Sequence, residues 1–293
     1  MFKNLNVEAL GVSGRPSEII ELALSNGFKG LDLDLADFAA QVQTYGLAHA
    51  RRVFDSSRLK LGSFDLVLDW DLDPLGFKKE LEGRAKQFEL AQQLGCTRAV
   101  TIVQPASDQR PYHENFDTHR RRYVDLGDVL AGYGIRLDVG LSTDSRLREG
   151  RAFQFIQAVD AFLMLFKSID SANVGVALDL WHWHLGGGTL DQIRSIGDKI
   201  VTVNLADADP GMTARNADEN TRRLPGETGV IDSAAVLTAL GEVHYDGPVT
   251  AMPSKAVFAG LGREKIVKQT AAALDTVWKA AGLGLRPGAM SRR

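Results

Sequence analysis

Short strand-like runs alternate with helical stripes along the whole 293-residue chain, and that alternation limits the fold more than any other feature. When a helix separates two strands of one sheet, it carries the chain back across the sheet, so the strands run parallel. Strand-like runs stand at 6–12, 30–35, 59–68, 98–103, 135–141, 174–180, 199–205 and 248–252. The second, GLDLDL, alternates leucine and aspartate with the two-residue period of a strand. Between the runs lie apolar stripes at steps of three and four. Phe77, Leu81, Ala85, Phe88 and Ala91 form one; Phe153, Ile156, Val159, Phe162, Phe166 and Ile169 form another; Ile266, Thr270, Ala273, Val277 and Ala281 form the last. Each supplies one apolar helix face to lie on a sheet. Pro16, with Glu18 behind it, marks a helix start, and Asn26-Gly27 its stop.

Eight such units in under 300 residues predict an α/β fold of the (β/α)8 TIM barrel type, with eight parallel strands and outer helices. The rival is an open doubly wound sheet. Its dinucleotide-binding form needs GxGxxG after the first strand, where this chain has GVSGRP. No linker or break in composition divides the chain, so one barrel domain over 1–281 is expected. The glycine-rich stretch 282–293 reads as a flexible tail.

Composition narrows the function classes. The chain has 37 acidic and 34 basic residues, a net charge of −3, and so no electrostatic reason to seek nucleic acid or an anionic membrane. Cys96 is the single cysteine, which rules out an internal disulfide and CxxC metal spacing. The opening residues lack a secretory pattern and the longest apolar runs, such as AFLMLF, are too short to span a bilayer, so a cytoplasmic protein is expected. No P-loop, nucleophile elbow or HExxH motif occurs.

A barrel of this kind places its site at the C-terminal ends of the strands. The sixth run offers Asp179 followed by Trp181, His182, Trp183 and His184. This cluster reads either as a metal ligand with imidazoles and aromatic walls, or as a capped, packed loop. Asn204 and Asp207 end the seventh run, and a long loop follows to Gly229. Arg222, ahead of Pro225-Gly226-Glu227, either presents a guanidinium to a substrate or sits on the surface paired with Asp218 or Glu219. Other polar residues read more plainly. His119 with Arg120, Arg121 and Arg122 reads as a solvated helix face, and Asp32 and Asp34 share one strand face at the barrel interior or top. Asp65 and Asp69 raise the same reading more weakly. His49 and His244 read as surface or packing residues, and Cys96 as buried and inert.

Several stretches carry a resemblance. They are 105–116, Gly134-Ile135-Arg136-Leu137, Asn173-Val174-Gly175, Leu178-Asp179 with Trp181-His182-Trp183, the segment from Leu224-Pro225-Gly226-Glu227 to Asp232, and Tyr245-Asp246-Gly247-Pro248. Together they make the chain, over roughly 9–280, resemble the sugar-phosphate isomerase/epimerase-like proteins of the xylose-isomerase-like barrel superfamily. That superfamily also holds metal-dependent apurinic endonucleases, a role opposed here by the acidic balance and the missing histidine-rich cluster. The resemblance implies a divalent metal at the barrel mouth, held by a glutamate, an aspartate, a histidine and a second glutamate on strands five to eight. The two glutamates would also move the substrate proton, while a histidine three residues past the aspartate and an arginine before the Pro-Gly turn touch the substrate.

Carried over position by position, the aspartate is Asp179, but the other ligand positions hold Gly140, Asn204 and Met252. Glycine and methionine give no hard oxygen ligand and asparagine only a neutral one. Manganese, cobalt or zinc is therefore expected only if Asp138, Asp207, His184 or Glu227 rebuilds the site. The substrate-touching positions remain as His182 and Arg222. The expected binding set is His182, Arg222, Asp179, Asn204, Trp181, His184 and Glu227, with Trp181 and Trp183 as aromatic walls. Two functions follow: an isomerase, epimerase or lyase on a small sugar or polyol, with a rebuilt or metal-independent site, or a non-catalytic carbohydrate-binding or regulatory relative.

Overall fold

The structure, a computed structural model, describes residues 1–283 apart from Leu33 and the side chains of Ala50 and Val53; from position 284 on, the expected tail lies outside the described residues. The strands are β1 (Phe2–Leu5), β2 (Gly30–Leu31), β3 (Lys60–Leu61), β4 (Phe64–Asp65), β5 (Arg98–Ile102), β6 (Ala106–Ser107), β7 (Arg136–Gly140), β8 (Phe153–Gln154), β9 (Val174–Asp179), β10 (Ile200–Leu205) and β11 (Pro248–Ala251). The helices are α1 (Pro16–Ser25), α2 (Leu35–Tyr45), α3 (Leu47–Ser57), α4 (Pro74–Gly83), α5 (Ala85–Leu94), α6 (Tyr112–Ala131), α7 (Val159–Ser168), α8 (Leu180–Leu185), α9 (Leu190–Ser195), α10 (Ser233–Glu242) and α11 (Arg263–Ala280).

Among the described residues, nine strands form one parallel sheet in the order β3-β2-β1-β11-β10-β9-β7-β5-β4. Its two end strands, β3 and β4, are separated in sequence only by Gly62 and Ser63. They are halves of one barrel strand, β3 pairing with β2 and β4 with β5, so the ring closes through the chain itself. The run expected whole at 59–68 is broken because Asp32 takes over from the ladder. Its Oδ1 accepts the Ser63 N–H at 2.7 Å, the Ser63 hydroxyl at 3.1 Å and Asn4 Nδ2 at 2.8 Å. Glycine is required at position 62, where a Cβ would stand 2.1 Å from that carboxylate oxygen. Burial pushes the Asp32 carboxyl up to about 6, although its hydrogen bonds pull the other way.

Other boundaries also move. The first strand is Phe2–Leu5, not 6–12, because Asn6 accepts the Ala9 N–H and folds the chain into a turn that ends at Gly11, with φ +67°. The 77–91 stripe is two helices meeting at Arg84, and the 153–169 stripe is helical only from Val159, with Phe153 in the antiparallel pair of β6 and β8. Asp34, just past the end of β2, caps α2, accepting the N–H groups of Ala36 and Asp37. The solvated reading of the arginine run fails at Arg122. It is buried, donates to the carbonyls of Trp70 and Leu72, and stacks on Phe77. His119, inside α6, is buried and stacked on Trp70 at 4.5 Å. Cys96 is buried as expected, and burial pushes its thiol up to about 12.

Candidate functional site

The C-terminal ends of the strands open on a pocket of about 690 Å³. Asp179, His182, Arg222, Asn204, Gly140 and Met252 all line it. Residues that alternate along a strand share one face, and the barrel ladders bring these faces together, with Asn204 paired to Asp179 and Gly140 to Ala177. Val100, Ile102, Ala177 and Met252 give the pocket apolar surface, and Trp70 adds an aromatic ring.

Asp179 ends β9 and caps α8. Its Oδ1 accepts the N–H groups of Trp181 and His182, and its Oδ2 accepts Arg222 Nη1 at 2.8 Å. Burial alone would raise its pKa, but the Arg222 charge beside it holds the carboxyl below the usual range. The Thr143 backbone N–H donates to His182 Nδ1 at 3.0 Å. That assigns the imidazole proton to Nε2, which donates to Glu219 Oε1 at 2.9 Å. Arg222 Nη2 donates to the same oxygen at 3.2 Å. Glu219 would be raised by burial, yet the His182 hydrogen bond and the Arg222 charge bring it down to about 2. Arg222 is shifted up by Asp179 and Glu219 against the cost of its own burial, and its guanidinium lies 4.9 Å from the Trp181 ring centre.

The seventh-strand loop delivers Arg222 through a bridge at its base. Asp207 and Arg223 exchange two backbone hydrogen bonds, of 3.0 and 2.9 Å. Neighbouring residues on such a bridge point to opposite sides. Arg223 faces outward to Asp209, and Arg222 turns into the site, its carbonyl accepting the Ser254 N–H. The Asp207 carboxylate locks this base by accepting four backbone N–H groups, from Ala208, Thr228, Gly229 and Ile231.

The remaining candidates stand elsewhere. Trp181 is buried beneath Arg222 and Trp183 donates to the Thr189 carbonyl; neither lines the pocket. His184 is exposed outside it. Glu227 is exposed and accepts the Leu224 N–H across the Pro-Gly turn. Asp138 is fully buried below the pocket, with neither carboxyl oxygen hydrogen-bonded, and burial pushes its pKa well up.

Sequence reasoning missed several pocket residues, among them Trp70, Gln104 and Glu219. Trp70 is fixed by Arg110 and Arg122, which both donate to its carbonyl, and its place just past the third strand was the available signal. Gln104 follows the fourth strand, and its side-chain amide, like that of Asn204, makes no hydrogen bond among the described residues. Glu219 was foreseen only as a surface partner, since its distance along the loop gives no hint that it reaches His182.

A profile of the Xylose isomerase-like TIM barrel family matches residues 20–277, and the chain belongs to that family. An inosose isomerase of Bacillus velezensis is 21% identical over 252 residues, 85% of this chain and 87% of that protein. A xylose isomerase domain protein from Alicyclobacillus acidocaldarius superposes with a TM-score of 0.83 at 21% identity, covering 96% of this chain and 99% of that one. The IolI protein with a bound zinc atom superposes with a TM-score of 0.81 at 17% identity, over 96% and 99% of the two chains. These structural likenesses show the fold. Among the described residues, no helix is long and apolar enough to cross a membrane.

The residues here do not fit a metal of the kind that zinc-bound neighbour holds. Asp179 spends both oxygens on protein donors, Asn204 offers a neutral amide, and Gly140 and Met252 offer no oxygen at all. Among the described residues, no group of three or more His, Cys, Asp or Glu side chains is arranged to hold a metal ion.

Proposed function

We propose that the pocket binds a small polyhydroxylated molecule, a sugar or polyol, without a resident divalent metal, and that Arg222 is the fixed cation of the site. The observation that carries this reading is the state of Asp179, whose Oδ2 is engaged by the guanidinium and whose Oδ1 caps α8. Gln104 and Asn204 supply free amides for hydroxyl groups, and Trp70 with the aliphatic wall supplies a surface for the carbon face of a ring. The inosose isomerase relative, named for a sugar-type substrate, supports the ligand class.

Binding without isomerisation is the form of this function that we favour. Family-type isomerisation needs an acid/base pair, and the two glutamate positions are Gly140 and Met252. Glu219 at about 2 is too weak a base to take a carbon-bound proton near neutral pH. A cytoplasmic location without a nucleic-acid partner belongs to the same proposal, in keeping with the acidic balance and the single buried thiol.

The test combines elemental analysis of the purified protein with a thermal-shift panel of sugars and polyols, run with and without EDTA. Sub-stoichiometric metal and an EDTA-insensitive shift are expected. One tightly held manganese or zinc per chain would overturn the reading.

A further inference from the structure

Resting on that reading, we propose that the ligand carries a carboxylate, and that His182 and Arg222 form a carboxylate subsite which the Glu219 side chain fills until a sugar acid displaces it. Two N–H donors from nearly buried side chains, His182 Nε2 and Arg222 Nη2, converge on one oxygen of Glu219. The two nitrogens stand 2.7 Å apart, both beside that oxygen. Donors so arranged form an oxyanion site, and here the chain's own carboxylate sits in it.

The hold on Glu219 is incomplete. The Arg222 Nε–H is buried and has no partner. Nε and Nη2 lie on one edge of a guanidinium, spaced to meet both oxygens of a single carboxylate. Glu219 meets only Nη2, at 3.2 Å, whereas a free carboxylate can span both donors. Its side chain is also 39% exposed, against 5% for His182 and 8% for Arg222. It sits on a three-residue 3-10 turn, Glu219–Thr221, so the mimic can leave while the donors stay.

Charge favours an acid over a neutral polyol at this point. Replacing Glu219 by a ligand carboxylate leaves the balance around Arg222 and Asp179 unchanged. Replacing it by a hydroxyl removes one of the two negative charges beside a buried guanidinium. Lys255 lines the same pocket and forms no ion pair among the described residues, adding a second cation that an acid can approach.

The experiment uses Glu219→Ala and Glu219→Gln in the full chain at constant ionic strength. Acetate should raise the melting temperature of Glu219→Ala, and acetamide should not. By calorimetry, D-gluconate should bind Glu219→Ala about tenfold tighter than wild type, the gain expected when a subsite about nine-tenths self-occupied is freed. Sorbitol should bind both proteins alike. Should the alanine variant fail to fold, Glu219→Gln keeps an acceptor for both donors and should still bind gluconate more tightly than wild type. No acetate effect, or no gluconate gain in either variant, overturns the proposal, as does inorganic phosphate stabilising as well as acetate. Sorbitol binding without any gluconate gain would sink this inference alone. Silence from both compounds and from the whole polyol panel would sink the binding reading with it.

Discussion

Arg222 Nη1 donates to Asp179 Oδ2 at 2.8 Å, and the two side chains are only 8% and 10% exposed. A pair like this on the surface contributes little. In the barrel mouth it matters more, because it pairs a buried carboxylate and a buried guanidinium that both line the pocket. A fixed guanidinium cannot lend a bound hydroxyl the acidity that a metal does, but it can orient an oxygen-rich ligand.

Removing the arginine should therefore harm the fold as well as binding. Arg222→Ala leaves Asp179 as a buried carboxylate without a counter-charge, and a loss of about 3–5 kcal/mol is expected. Asp179→Asn added to it should recover part of that loss, since asparagine still caps α8 through its amide oxygen. Urea denaturation of the two single variants and the double variant measures the coupling. Purely additive effects would mean that the ion pair contributes nothing.

The pH dependence of stability has a definite sign. Glu219 titrates at about 2 in the folded chain and near 4.5 when unfolded, so between those values the unfolded state binds more protons. Its contribution is fully present above about pH 4.5 and is lost as pH falls toward 2. Asp32, raised from 3.8 to about 6, acts in the opposite direction, since its charged form is disfavoured in the fold. The clean measurement is the difference between wild type and Glu219→Gln, in which Asp32 cancels. That gap in urea midpoint should be constant from pH 5 to 7 and should narrow from pH 4.5 downward. A gap that widens in acid would contradict the bonding of Glu219 to His182 and Arg222.

Strand-and-helix alternation was enough to read the barrel, because periodicity along the chain is a local property. Grouping Asp179 with Asn204, Gly140 and Met252 came from the resemblance; all four stand at or next to strand ends and line one pocket. What stayed hidden depends on the loops. Arg222 was expected at the site from the resemblance, but not the Asp207–Arg223 bridge that turns it inward, and Glu219 reaches His182 through the turn that follows Asp218. Neither contact leaves a periodic trace. Nor did composition tell the buried Arg122 from the surface Arg121 next to it. The broken third strand was hidden for a similar reason: the Asp32 bond that replaces the ladder joins residues 31 apart.

Asp207 should matter out of proportion to its distance from the pocket. Its two oxygens accept four backbone N–H groups, while an asparagine oxygen can take two and its amide nitrogen would face the others. Asp207→Asn should cost roughly 2–6 kcal/mol for two orphaned donors. The loop carrying Arg222 and Glu219 should loosen as well, so that trypsin cuts faster at the exposed Arg215. Unchanged stability and unchanged cleavage would show that the loop is held by its other contacts alone.

The strongest test of the proposed metal-free reading installs the ligand types that the resemblance implies, with Gly140→Glu, Asn204→His and Met252→Glu made together. Position 140 has room for a side chain: it lies in β7 and is not among the positive-φ glycines, and a Cβ there would meet nothing nearer than 3.5 Å. All three positions already line the pocket beside Asp179. Without metal, the added carboxylates should repel Asp179 and Glu219 and leave the variant less stable than wild type. Manganese should reverse this, by about 2.7 kcal/mol at a hundred times its Kd, because only the folded chain presents the site. Adding Arg222→Gln should tighten manganese further, since guanidinium and metal compete for the same Asp179 oxygen. Wild type should show no stoichiometric heat in the same titration. Tight manganese on wild type, or indifference of the triple variant, would mean that Arg222 has not taken the place of the metal.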